Sequence, residues 1–383
     1  MTKKFRIFLI FASAIGLMAS AQAAERSFLP RVTGLKFPNS AMEGALPVSA
    51  SALILDKGEK YSGYTDLLPY VLLSPDQEEA GSCLYMTLTG IAEWNLARLH
   101  PTLSREPEGP LDLSERHLMN IAGEAEEKNG AANWKTDSVY LLNGARGLFR
   151  NADYRFTKGW YKSGADDEAV KAVAGEPGAE YDAGYNWLDE RPTGASLVSL
   201  PNFHREVLFA DPESNQWNTA VMPADIVDRI KAALLEKKSP VQIIYNHFGY
   251  WHSNFIVGFD DAKLNDNCRF VRDFLAYMQA RPAELRKEAE NEADPKEKAQ
   301  LLAKALRAEN AHRRTRAAYE KDGCQGKGVF YVRDSIYPDT EGPVYDYDPS
   351  TKGDEGFYSK KIVLLEYEWV RYMGNHAIQI LAD

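Results

Sequence analysis

The chain is 383 residues long, with 44% hydrophobic, 26% charged and 11% aromatic side chains. That balance supplies a sizeable core, enough for one large domain or two smaller ones, and excludes disordered and collagen-like classes. A formal net charge of -10, from 45 basic and 55 acidic side chains, argues against nucleic acid as the principal partner, because affinity there rests on cations neutralising phosphates.

The chain opens with Lys3, Lys4 and Arg6, then an apolar run from Ile7 to Met18, then Ala21-Gln22-Ala23 as a small-x-small cleavage signal. This pattern reads as a Sec-type signal peptide, residues 1–23, cut after Ala23, and predicts a secreted or periplasmic protein. The run is shorter than the roughly 20 apolar residues of a membrane span, and no later segment is long enough, so no membrane span is expected. Residues 24–73 show no long helical pattern. They read as a short pro-like segment or as a piece that packs permanently on the body.

Cys83 follows Gln77 and the pair Gly81-Ser82, and precedes Leu84, Met86, Leu88, Ile91, Trp94 and Leu96. The pattern predicts a buried helix from about Cys83 to Leu99 with the cysteine at its start. There the unpaired N–H groups and the helix dipole favour a thiolate. A plainly buried cysteine is the alternative reading. Further along come Leu113-Ser114-Glu115-Arg116-His117 and Asn129-Gly130. An amphipathic helix over 226–238 leads into a strand from Ser239 to Tyr245 and then to Trp251-His252-Ser253-Asn254-Phe255-Ile256-Val257-Gly258-Phe259, an apolar strand opened by a histidine.

Between Cys268 and Cys324 the apolar spacing of Phe270, Phe274, Leu275, Met278 and Leu285, and later of Leu301, Leu302, Ala305 and Leu306, predicts two helices. Asp294-Pro295 supplies an N-cap and a first-turn proline, which puts the turn near Ala293 and runs the second helix to about Tyr319. An antiparallel hairpin brings Cys268 and Cys324 together, and a disulfide there adds on the order of 4 kcal/mol in the chain-entropy picture. Two separately buried thiols are the alternative. The hairpin's charged face reads as solvated helix, with docking of a protein partner as the other use. After it, Gly328 to Ser335 is an apolar strand ending in Asp334.

Gln77 with Gly81-Ser82-Cys83, the Leu-Ser-Glu segment, Asn129-Gly130, His252 before Val-Gly-Phe, and Asp334 occur in the order found in papain-like cysteine peptidases. The chain resembles that family, as a secreted bacterial member with a helical-hairpin insertion, over most of Ser74 to the C-terminus. The resemblance implies an α+β fold of two lobes: a helical lobe over 74–215 carrying the nucleophile, and an antiparallel, barrel-like β lobe over 216–383 carrying the histidine and the acid. The hairpin 268–324 is inserted in the second lobe.

The same resemblance implies Cys83 as nucleophile, His252 as acid and base, Asp334 as the group orienting it, and Gln77 with the Cys83 N–H as oxyanion hole. Gly81, Ser82, Asn129, Gly130 and Trp251 would contact substrate, which would be a protein or peptide. No cofactor and no metal are implied. The chain departs from the pattern in having Asp334 for asparagine, Ile336 for a shielding tryptophan, Leu84 for an aromatic, Ala80 for a cysteine and Ala131 for a second glycine. These changes set against the peptidase reading an alternative: a weak or inactive papain-like binding protein that uses the hairpin for docking.

His247 lacks the apolar run that follows His252, and Asn375-His376 comes after Asp334, out of the family's order. His100, His117, His204 and His312 show no metal-ligand spacing, and Asp346-Tyr347-Asp348-Pro349-Ser350 reads as a turn rather than a calcium loop.

Overall fold

A computed structural model describes residues 61–72, 83–100, 111–121, 138–151, 153–154, 192, 194–211, 221–247, 250–265, 268–335 and 362–383. The expected signal peptide and most of the expected segment 24–73 lie outside these residues. Helices are α1 (Cys83–Leu99), α2 (Ser138–Ala145), α3 (Ile226–Lys237), α4 (Arg269–Asn291), α5 (Pro295–Asp322) and α6 (Tyr367–Met373). Strands are β1 (Gly147–Leu148), β2 (Val198–Ser199), β3 (Phe203–Ala210), β4 (Val241–His247), β5 (Tyr250–Leu264), β6 (Lys327–Arg333), β7 (Ile362–Glu366) and β8 (Gly374–Ala382).

Six strands form one antiparallel sheet in the order β3-β8-β4-β5-β6-β7. The fold is α+β. Strands β6, β7 and β8 are almost continuously buried rather than alternating, because helices cover the sheet. Gln379 on β8 donates to the Ala233 carbonyl of α3 at 3.0 Å, and Trp369 of α6 meets the ring of Tyr245. Helix α3 buries Ile226, Ile230, Ala233 and Leu234, a single stripe at helical spacing. Strand β3 is an edge of the sheet although it precedes the expected lobe boundary at 216: its pairing with β8, near the other end of the chain, is a long-range contact that local pattern does not show.

Helix α1 is buried almost all round, from Cys83 to Ala97, as a helix must be when the body closes on every side of it. Its interior polar groups are held locally: Thr89 donates to Tyr85 O at 2.8 Å and Asn95 to Ile91 O at 2.8 Å. The residues just before it also belong to the body. Tyr64 bridges Phe259 through paired backbone hydrogen bonds of 2.8 and 3.1 Å, and Trp94 of α1 donates to Leu67 O at 2.9 Å. A side chain on Gly258 would lie 2.4 Å from the Tyr64 carbonyl, so glycine is what lets this segment seat. Residues 61–72 of the expected N-terminal segment are thus packed on the body, with Leu67, Leu68, Val71 and Leu72 buried; each such leucine contributes roughly 1.5–3 kcal/mol of burial.

The insertion between β5 and β6 is an antiparallel pair, α4 and α5, closed by a Cys268–Cys324 disulfide with a Cα–Cα distance of 6.0 Å. Asp294 caps α5, accepting from Lys296 N at 2.7 Å, with Pro295 in the first turn. The seam corrects the sequence reading on α5. Ala305, Ala308, Ala311 and Thr315 are buried, whereas Leu302 and Leu306 are exposed. Small residues let α5 approach the Phe274, Met278 and Leu285 side of α4 closely, and the larger leucines face outward. At the base, the rings of Phe270 and Phe274 meet Trp369 edge-on, and Tyr372 donates to Gly323 O at 2.8 Å. The hairpin is therefore rooted in the core through α6.

Candidate active site

Cys83 is the first residue of α1 and is buried. Its neighbour across the interior is His252, which lies on β5 directly opposite Tyr245 of β4. Arg333, the last residue of β6, pairs with Phe255, so the period of two places Asp334 beside Asn254, on the side of the sheet that carries His252. Three segments distant in sequence converge in this way.

His252 Nε2 lies 2.7 Å from Asp334 Oδ1, with His252 2% and Asp334 7% exposed. Ser335 N donates to the same carboxylate oxygen at 2.7 Å. Cys83 lies near enough to the His252 imidazole to act on its charge. Burial opposes a charge on the imidazole, but the Asp334 charge and hydrogen bond, with Cys83 adding to both, outweigh it and raise its pKa to about 10. The arrangement therefore favours imidazolium.

Tyr245 stands edge-on to His252 with ring centroids 5.5 Å apart, and its hydroxyl accepts from Asn254 Nδ2 at 2.9 Å. Burial, with the nearby Asp334 charge, pushes its phenol well above its ordinary value, so it is neutral. Tyr245 and Asn254 were missed in the sequence. The signals were there: Asn254 sits at i+2 from His252 on one strand face, and Tyr245 is its hairpin partner.

Below the site is a buried charge cluster. Arg333, 2% exposed, donates from Nη1 to Met86 O at 2.7 Å and places Nη2 at 3.6 Å from Glu93. Glu93 accepts from Leu113 N at 2.7 Å, and Thr89 donates to Glu115 at 3.3 Å. Burial raises the pKa of Glu93 well above its usual value and that of Glu115 to about 8, with Arg333 offsetting part of each. Glu93, Asp112 and Glu115 bring their carboxylates within 4.8 Å of one another. This set already holds a guanidinium and a backbone donor, which makes it an ion-pair network. The other close group, Cys268, Cys324 and Glu368, has its sulfurs in the disulfide.

Of the remaining candidates, Gln77, Gly81, Ser82, Asn129 and Gly130 lie outside the described residues, as do Ile336 and the 346–350 run. Trp251 has its backbone on β5 opposite Asn246. His117 is a packing residue: its Nδ1 accepts from Phe149 N at 3.2 Å between the rings of Phe149 and Tyr154. His376 is buried on β8 opposite Ile244, His204 pairs with Asp383 at the surface, and His312 is on the hairpin.

No family model and no curated protein sequence matches the chain. Among solved structures it is similar to one from a study of antibody cross-reactivity between the mite allergens Blo t 1 and Der p 1, at TM-score 0.40 and 11% identity over 93% of this chain and 81% of that one. It is also similar to a digestive procathepsin L2 proteinase of the Tenebrio molitor larval midgut, at TM-score 0.30 and 14% identity over 56% of this chain and 57% of that one. A third is the cysteine protease and lectin-like domains of Cwp84, a surface layer associated protein of Clostridium difficile, at TM-score 0.38 and 13% identity over 86% of this chain and 54% of that one.

Proposed function

We propose that the protein is a papain-like cysteine endopeptidase, secreted by way of its N-terminal leader. The observation that carries this reading is the buried His252–Asp334 hydrogen bond with Cys83, at the start of a buried helix, near enough to act on the same imidazole. Among the described residues no helix is long and apolar enough to cross a membrane.

The chemistry follows from the geometry. With Nε2 held by Asp334, Nδ1 is the nitrogen left for the sulfur, and the raised pKa of His252 keeps a proton there at neutral pH. The Cys83 thiolate attacks a peptide carbonyl carbon, forming a C–S bond and an oxyanion. The Cys83 N–H and the Gln77 amide would stabilise that oxyanion, each donor worth about 10²- to 10³-fold in rate. As the C–N bond breaks, the imidazolium proton passes to the leaving amine. Water, deprotonated by the now neutral His252, attacks the thioester; the acid product leaves and the pair is restored.

The test is labelling with a peptidyl epoxide that alkylates activated cysteines, located by mass spectrometry, together with hydrolysis of a denatured protein substrate. Labelling at Cys83, with both signals lost in Cys83→Ala, is expected. A folded, unlabelled protein would instead favour the binding-protein alternative, in which the exposed leucines of α5, Leu302 and Leu306, offer the contact face.

A further inference from the structure

The guanidinium of Arg333 is enclosed between the helix of the sulfur and the strands of the imidazole and carboxylate. It precedes Asp334 in the chain and faces Phe255, three residues beyond His252, with its guanidinium carbon 5.4 Å from that ring's centroid. Its Nη1 reaches the carbonyl of Met86, in the first turn after Cys83, and Nη2 approaches Glu93 two turns on. One backbone feature makes room for it. A side chain at Gly90 would stand 2.4 Å from Nη1, 2.7 Å from the guanidinium carbon and 2.8 Å from Phe255. The helix thus descends onto the guanidinium at the one position where it carries no Cβ.

Burying a charge here costs several kcal/mol in desolvation, and an apolar side chain of similar volume packs at least as well. What an apolar side chain lacks is direction. A planar fork that donates to a carbonyl at one end and lies at ion-pair distance from a carboxylate at the other constrains both the height and the rotation of α1.

We propose that Arg333, seated over Gly90, is a positioning residue that holds the first turn of the Cys83 helix in register with the strands carrying His252 and Asp334. The proposal deepens the peptidase reading and rests on it for its kinetic arm. A displacement of about 1 Å between reacting groups is worth about 10²-fold in rate, so loss of this register would show mainly in the chemical step. Arg333 is faced by Glu93 from α1 and by Glu115 from the segment 111–121, with Asp112 beside both carboxylates, and those carboxylates stay in place in the variants below.

The experiment compares the full chain with Gly90→Ala, Arg333→Lys and Leu234→Ala, the last a buried α3 residue that serves as a stability control. Three quantities are read: the pH dependence of Cys83 alkylation by iodoacetamide, kcat and KM for a peptide substrate per epoxide-titrated site, and Tm. Gly90→Ala displaces the guanidinium and Arg333→Lys removes the fork while keeping the charge. Both are expected to lower kcat about 10²-fold with KM little changed, and to slow alkylation of Cys83 at neutral pH as sulfur and imidazole separate. Leu234→Ala lowers Tm and leaves the alkylation profile and kcat at wild-type values. The inference is overturned if Arg333→Lys, which keeps the buried charge balanced and the chain folded, loses Tm alone. Wild-type protein whose thiol alkylates at low pH but which cleaves no peptide overturns the peptidase reading and leaves this inference to the alkylation profiles.

Discussion

Around His252 the buried side chains are polar and are held by named partners: Asp334 on the imidazole, Asn254 on Tyr245, Arg333 on Met86 and Glu93. Along the hairpin the buried seam is apolar, large side chains of α4 against alanines of α5, and the surface carries i,i+3 and i,i+4 ion pairs. The site is assembled from directional contacts between segments far apart in sequence; the hairpin is two local helices joined at their base by a covalent bond. Losses in the first should appear in rate and pH profile, and losses in the second in stability.

The sharpest break is Cys83→Ala, which removes the proposed nucleophile; epoxide labelling and peptide hydrolysis should both vanish, a fall of about 10⁴-fold or more, while thermal unfolding stays close to wild type.

Asp334→Ala comes next. It should cost about 10²- to 10⁴-fold in kcat/KM, with a shift in pH dependence of predictable sign. His252 titrates near 10 because of Asp334; without it, burial acts with less opposition and the pKa falls. The alkaline limb of the hydrolysis profile should therefore move to lower pH. Since its folded pKa lies above the ordinary 6.5, His252 also adds stability that is complete below that pH and is lost as pH rises through about 10. Denaturant midpoints at pH 7 and 10 should differ less in this variant than in wild type.

In the hairpin, Cys268→Ser with Cys324→Ser should lower stability by up to about 4 kcal/mol and leave the rate of Cys83 alkylation unchanged. A comparable loss of alkylation rate would mean that the hairpin root, through Trp369 and Tyr245, supports the site directly.

A smaller effect belongs to Glu115. Its pKa is raised from 4.5 to about 8, so the folded state holds its proton more tightly and stability declines as pH rises from about 4.5 to 8. Glu115→Gln should flatten that decline in a pH series of denaturation curves. Smallest of all, Arg316→Ala removes an exposed pair with Glu320 and should change Tm by an amount corresponding to less than about 0.5 kcal/mol.

The helix beginning at Cys83, the strand bearing His252, the turn at Asp294-Pro295 and the apolar strand before Asp334 were all readable, because cap, proline and period signals act over a few residues. On the site, the chain's own text pointed to Cys83, His252 and Asp334; the fold joins His252 to Asp334 by a hydrogen bond and sets Cys83 near the same imidazole. It did not point to Arg333, which looks like any strand-end cation, nor to Glu93, which sits in an apolar helix without an evident partner. Their roles depend on which strand lies against which helix. The outward turn of Leu302 and Leu306 escaped notice for a related reason: spacing marks an apolar stripe, but only the distance between two helices decides whether leucine or alanine fills the seam.

From the order of residues alone came the polarity of each segment, the helix that begins at Cys83 and the spacing that closes the hairpin, since these are properties of neighbours along the chain. Tertiary structure decided the rest: that β3 joins β8 across the sheet, that residues 61–72 are built into the body, and that the Arg333 guanidinium is enclosed between the Cys83 helix and the strands of His252 and Asp334. Each of these is a contact between segments far apart in the chain, selected by burial and hydrogen-bond completion in the whole molecule, and such selection leaves no local periodicity to read.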